Sequence, residues 1–141
     1  MRGGGKRLEA VIDSSAILGC QFADESSTQI NQLLAELPTA RIFVPMIWHA
    51  EMANAFLMSE RRNRSTPDES AGHLAYLADF IIIVDDAPYP FAAILNLARQ
   101  YHLTAYDATY LELSMRLNLP LATLDKAMRK AAQKLGIQVI L

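Results

Sequence analysis

The chain is poor in the features that announce many protein classes. One cysteine, Cys20, occurs in 141 residues. No internal disulfide can form, and a reducing cytoplasm fits that usage. Cys20 itself reads as a small buried hydrophobe rather than a nucleophile. No apolar run reaches the roughly eighteen residues that a membrane-spanning helix needs, so no membrane role is expected. The opening stretch MRGGGKRLEAVID lacks the apolar region of a signal peptide. Its glycine run reads as a flexible leader over residues 1–7, or as a cloning remnant. The three histidines, His49, His73 and His102, are scattered without zinc-binding spacing. A Walker loop, a G-x-G-x-x-G fingerprint and a defensible Ser–His–Asp arrangement are all missing. Basic excess is missing too: the net charge is −2, which taken whole argues weakly against nucleic acid.

What is present is apolar material. Hydrophobic residues make up 52% of the chain and charged residues 20%, enough for a packed core and too apolar for disorder. The length suits one domain, expected over residues 8–141. Leu8–Ile12 (LEAVI) reads as a buried strand stopped by Asp13. Ser14–Gly19 reads as a turn, followed by a helix from about Ser26 to Leu37 with Ile30, Leu33, Leu34 and Leu37 inward, closed by Pro38. Arg41–Val44 is a second strand, and Pro45 precedes a long amphipathic helix. The polar stretch ERRNRSTPDES reads as a loop, with a helix starting near Pro67 and running through about Ala78. Asp79–Val84 is a third strand. Phe91–Tyr101 and Thr104–Asn118 are helices, the latter with Leu111, Met115 and Leu117 on its apolar side. Leu119–Leu124 is a fourth strand, Lys126–Leu135 a basic helix capped by Gly136, and Ile137–Leu141 the last strand. Strands alternating with helices predict a three-layer α/β/α domain around a parallel sheet buried on both faces.

Four acids draw notice within that pattern: Asp13, Glu51, Asp107 and Asp125. Asp13 and Asp125 each follow a buried strand, at the end of a parallel sheet where ligands bind if the strand order reverses there. Each is equally readable as a strand-end turn or cap residue. Glu51 lies inside the apolar helical stretch Ile47–Phe56, where an ionised carboxylate is costly without a partner; the alternative is a solvated face shared with Asn54 and Met58. Asp107 sits in the first turn after Thr104, where an acid also suits the helix dipole. Clustered carboxylates repel one another and contribute little to folding. A hard cation such as Mg²⁺ or Mn²⁺ reverses that balance, prefers oxygen ligands, and can activate water against a phosphoryl group. Setting the four acids aside leaves 13 basic residues against 11 acidic ones, so the acidity is partly concentrated. Ser15 and Thr123 stand two residues from Asp13 and Asp125, a spacing that returns to the same face of a strand. Their hydroxyls could orient a carboxylate or a water, or serve ordinary turn bonding.

The patterns D-x-S at Asp13–Ser15, E-x-x-N at Glu51–Asn54, T-x-Y-D-A at Thr104–Ala108 and L-A-T-x-D at Leu121–Asp125 together resemble the PIN-domain ribonucleases. The likeness runs from about Leu8 to Leu141 and is closest to the VapC-type toxins of toxin–antitoxin pairs. That resemblance implies a five-stranded parallel sheet in the order 3-2-1-4-5 and dependence on Mg²⁺ or Mn²⁺. It also implies endoribonuclease cleavage of single-stranded RNA by activated water, a homodimer, and inhibition by a cognate antitoxin. It makes Asp13, Glu51, Asp107 and Asp125 the catalytic and metal-binding acids, with Ser15, Asn54 and Thr123 in support.

Lys126, Arg129, Lys130 and Lys134 share one helix face and could hold RNA phosphates, or simply form a solvated face. Arg61, Arg62 and Arg64 could touch RNA or an acidic partner segment, or be a solvated charge run. Trp48, Met52, Phe56 and Leu57 are more apolar than one small helix needs, which suits a dimer face, an antitoxin groove or plain core packing. Two rivals stand beside the nuclease: a non-catalytic PIN-like module that binds RNA or protein, and a phosphatase of haloacid-dehalogenase type. The second needs D-x-D after the first strand, and Ser15 occupies that position.

Overall fold

The apolar runs of the sequence form a sheet whose middle strand is its most buried element. β1 (Glu9–Ile12) carries Ala10, Val11 and Ile12, all without measurable exposure. In the computed structural model, which describes residues 6–22 and 27–141, β1 is flanked by β2 (Arg41–Val44) and β4 (Leu121–Ala122). β3 (Ile81–Val84) and β5 (Val139–Ile140) form the edges, so the order is β3-β2-β1-β4-β5 and every pairing is parallel. Parallel pairs require crossovers, and the chain supplies them as helices. α1 (Ser14–Phe22) and α2 (Thr28–Glu36) join β1 to β2. α3 (Ile47–Arg61) and α4 (Pro67–Ala78) join β2 to β3. α5 (Phe91–Tyr101) and α6 (Ala105–Leu117) lead to β4, and α7 (Lys126–Lys134) leads to β5.

The direction of travel reverses after β3, because the chain then crosses back to the far side of β1. Right-handed crossovers therefore place the first four helices on one face and the last three on the other. The packing agrees: α1 meets α2 and α3, whereas α6 meets α5 and α7. This is the three-layer α/β/α arrangement predicted from the alternation, with the strand order implied by the family resemblance. No helix among the described residues is long and apolar enough to cross a membrane.

Local signals explain most boundaries. Thr66 and Glu69 close a capping box, with Pro67 at the first helical position of α4. Thr104 accepts a bond from the Asp107 amide at the start of α6 (3.1 Å). Gly136, at φ +75°, ends α7 as a left-handed residue that glycine adopts without strain.

Several expectations need correction. Ser14–Gly19 is not a turn but the body of α1, which the Asp13 carboxylate caps by accepting from the Ala16 amide at 2.9 Å. Ala16 and Ile17 bury against the core without an amphipathic stripe, so periodicity could not show this helix. At Gly19 a β-carbon would stand 2.3 Å from Leu124 Cδ1, so the exposed Leu124 side chain would have to move aside. The predicted start of the next helix near Ser26 lies outside the described residues; Ser27 caps α2. The polar stretch at 60–70 is shorter as a loop, because α3 continues to Arg61. Asp79 caps α4 rather than opening β3. β4 and β5 hold two residues each, because the chain leaves the ladder after Ala122 to begin α7. Met115 is exposed, not apolar-facing, and α6 ends one residue before Asn118, which is left-handed.

Leu111 is fully buried on α6 against this core. Leu111→Ala should cost about 2–5 kcal/mol of unfolding free energy, read by chemical denaturation. A loss under about 0.5 kcal/mol, the range of surface substitutions, would show that α6 does not pack as described.

Candidate active site at the carboxyl end of the sheet

The register of β1 against β4 builds the centre of the site. Val11 pairs with Leu121 and Ile12 with Ala122, and the Asp13 amide continues the ladder to the Ala122 carbonyl (3.1 Å). Asp13 is thereby level with Thr123, two residues before Asp125. The Thr123 hydroxyl, fully buried, donates to Asp13 Oδ2 at 2.5 Å and accepts from the Asp125 amide at 3.0 Å. Ser15 donates to Asp13 Oδ1 at 2.7 Å and accepts from the Leu124 amide at 3.1 Å. Both expected supporting hydroxyls therefore serve the acids. Ser15 does so from the first turn of α1, not from a strand as its spacing suggested.

Asp13 is only 3% exposed. Burial raises its proton affinity; the Thr123 and Ser15 hydroxyls and the Ala16 amide work against that, and the Asp107 charge adds to it, leaving the carboxyl above its ordinary value. Glu51, on the second turn of α3, is half-buried. Its proton affinity is raised by burial and by the charges of Asp107 and Asp13, against the bond from Tyr110 and a lesser effect of Ser14. Asp107 is raised by burial and by Asp125, against the Thr104 hydroxyl. Asp125 caps α7, its Oδ1 accepting from the Met128 amide at 2.9 Å. The cap readings of Asp107 and Asp125 are thus correct as well, and compatible with a shared site.

The four acids form one electrostatic neighbourhood. None of them is in an ion pair among the described residues, whose pairs join Glu9 to Arg41, and Asp85 and Glu112 to Arg116. Their donor chemistry, oxygen only and strongly anionic, suits a hard divalent cation. As the side chains stand, however, no three His, Cys, Asp or Glu among the described residues converge tightly enough to hold one ion. Asp13, Glu51 and Asp125 each accept from a hydroxyl or an amide.

Other candidates are less central. Asn54 is exposed on α3 and its side chain makes no hydrogen bond among the described residues, so nothing ties it to the acids. Lys126, Lys130 and Lys134 are exposed and Arg129 is half-buried along α7, whose first turn adjoins Asp125. Arg61, Arg62 and Arg64 are exposed at and just beyond the far end of α3, about 15 Å of helix from Glu51. Trp48, Met52 and Phe56 are core residues, yet with Leu57 (40% exposed) they also form one wall of a groove of about 550 Å³. Leu74, Leu77 and Phe80 form part of the opposite wall. Burial pushes the Cys20 thiol up to about 11, in keeping with an inert side chain.

The sequence reading missed Ser14, Tyr110 and an apolar cleft beside Asp107. Tyr110 is buried and its phenol donates to Glu51 Oε1. Its signal was available in the three-residue spacing from Asp107, which places both on one face of α6. The cleft, about 270 Å³, is lined by Ile47, Tyr89, Phe91, Leu95 and Tyr106 among others. It assembles where α5 and α6 meet Ile47 of the distant α3, so no local pattern could show it.

A pH dependence follows for the metal-free chain. Asp107 binds its proton more tightly when folded than at its unfolded value of 3.8. Its contribution is favourable below that value and is lost as pH rises through the raised one. Asp107→Asn removes this loss. In EDTA, the melting temperature of Asp107→Asn should gain on wild type as pH rises from about 4 to 7. A gap that stays flat or closes would contradict the stated crowding of charge.

Comparison with known proteins agrees with this geometry. The model of the PIN domain matches residues 10–134. Two solved structures share the fold. One is PAE2754 from Pyrobaculum aerophilum: TM-score 0.69, 22% identity, covering 96% of this chain and 92% of that one. The other is FitAcB from Neisseria gonorrhoeae: TM-score 0.64, 16% identity, covering 94% and 96%. No curated protein sequence matches the chain. The family match spans most of the chain and includes all four acids, so this protein belongs to the PIN-domain family.

Proposed function

We propose that the protein is a metal-dependent endoribonuclease that cleaves single-stranded RNA, acting as the VapC-type toxin of a toxin–antitoxin pair. The observation that carries this reading is the gathering of Asp13, Glu51, Asp107 and Asp125 at one end of the sheet, where burial and mutual charge raise three of them without a cationic partner. Folding alone gives no reason to assemble such a group. Asp13, Asp107 and Asp125 would hold Mg²⁺ or Mn²⁺, with Glu51 either joining them or orienting the attacking water. When bound, the ion would supply Lewis acidity at the phosphoryl oxygen and a more acidic water. Thr123 and Ser15 keep both Asp13 oxygens in place. Lys126, Arg129, Lys130 and Lys134 would hold RNA phosphates from the start of α7 outward.

The partner assignments belong to the same reading. The apolar groove between α3 and α4 would receive an antitoxin segment, with Arg61, Arg62 and Arg64 near an acidic stretch of it. The exposed aromatic cleft beside Asp107, where Phe91 is 81% exposed, suits the homodimer face. A cytoplasmic location fits the RNA substrate and the lone cysteine. The non-catalytic alternative draws on one observation, the lack of convergence of the acids as they stand. It predicts RNA binding without metal-dependent cleavage.

Asp13→Asn separates these readings without unfolding the chain. The amide can keep its oxygen toward Ser15 and Ala16 and donate to Thr123, whose hydroxyl can reverse its bond. Cleavage of single-stranded RNA by wild type should stop in EDTA, return with Mg²⁺ or Mn²⁺, and fall at least about 100-fold in Asp13→Asn. A folded Asp13→Asn protein with wild-type activity would sink the assignment.

A further inference from the structure

Glu51 is the one acid of the four that no helix N-terminus holds. Asp13 caps α1, Asp107 lies in the first turn of α6, and Asp125 caps α7. Glu51 stands mid-helix on α3, half-buried, on a side chain with three rotatable bonds. The charges of Asp107 and Asp13 both act against its ionised form. Left to itself, the carboxylate would gain by swinging to solvent. What opposes that movement is a buried phenol: Tyr110, 1% exposed and packed in the core on α6, donates its hydroxyl to Glu51 Oε1. Ser14, the residue after Asp13, adds a smaller effect that also favours the ionised carboxylate. A charge-assisted O–H···O⁻ bond from a donor that cannot itself move is a strong restraint.

We propose that Tyr110, aided by Ser14, is the positioning residue that holds Glu51 in the acid cluster and thereby sets the affinity of the site for its divalent cation. The proposal rests on the nuclease reading above. It concerns how the site is assembled rather than which acids form it. Tyr110 touches neither substrate nor ion; it acts through Glu51. Its place on α6, one turn from Asp107, makes that helix present an acid and the clamp for a second acid together. The clamp also links α3 to α6, which lie on opposite faces of the sheet.

The test is calorimetric titration of Mn²⁺ into the full chain, with RNA cleavage measured alongside. Wild type comes first: absence of Mn²⁺ binding and of cleavage would overturn the nuclease reading and this one with it. Given wild-type binding, Tyr110→Phe should raise the Mn²⁺ Kd about 10–100-fold, the usual effect of losing a partner of a metal ligand. At saturating Mn²⁺, kcat should fall while KM for RNA holds. In a Glu51→Ala background the same substitution should change the Kd less than twofold, because no carboxylate remains to be held. An unchanged Kd in Tyr110→Phe, or an equal effect in both backgrounds, would overturn the proposal while leaving the nuclease assignment intact. Should Tyr110→Phe fail to fold, Ser14→Ala tests the same clamp from the start of α1: a weakened Mn²⁺ affinity supports it and an unchanged one overturns it.

Discussion

Like-charged carboxylates do not gather without compensation, and the architecture around this site is organised by that constraint. Three kinds of group supply it. Helix N-termini bring their unpaired amides and positive dipole ends to Asp13, Asp107 and Asp125, each worth about 0.3–1 kcal/mol at exposed positions. Hydroxyls of Ser15, Thr123 and Tyr110 donate to Asp13 and Glu51, with a hydrogen bond to a charged group worth about 1.5–3 kcal/mol. Burial works against both. Three of the four acids still end above their ordinary proton affinity, so the protein's own groups do not complete the compensation. In the nuclease reading proposed above, a divalent cation would do so.

The sheet makes this crowding unavoidable. Its strand order reverses at β1, so β1 and β4 become neighbours although more than a hundred residues separate them. Crossovers from both strands depart in opposite directions and open a crevice at their carboxyl ends. The helices that start there, α1 after β1 and α7 after β4, aim their N-termini into the crevice. The same geometry that makes a parallel sheet possible therefore delivers acids, amide donors and hydroxyls to one place.

The surfaces outside the crevice divide the remaining work. The α3–α4 groove shares residues with the core, so Trp48, Met52 and Phe56 stabilise the fold and line a surface at once. Glu51 and one wall of this groove lie on the same helix, α3. On the other side, the aromatic cleft adjoins Asp107 through Ala105 and Tyr106.

Much of this was legible in the residues themselves. Strands such as Arg41–Val44 and helices such as Phe91–Tyr101 are set by local apolar period and by capping chemistry, which act over a few residues. The four acids stood out because each ended a strand, opened a helix or interrupted an apolar face. What the sequence could not settle were relations between distant segments. α1 was invisible because its burial comes from the fold around it and not from an amphipathic stripe. Ser15 was placed beside Asp13 for the wrong geometric reason, since a turn of helix, not a strand, returns it there. Tyr110 shares a helix face with Asp107, but only tertiary packing brings its hydroxyl to Glu51. Local chemistry determines which segments fold and which acids are unusual. Which hydroxyl meets which acid depends on strand register and helix crossing, and only the assembled sheet decides those.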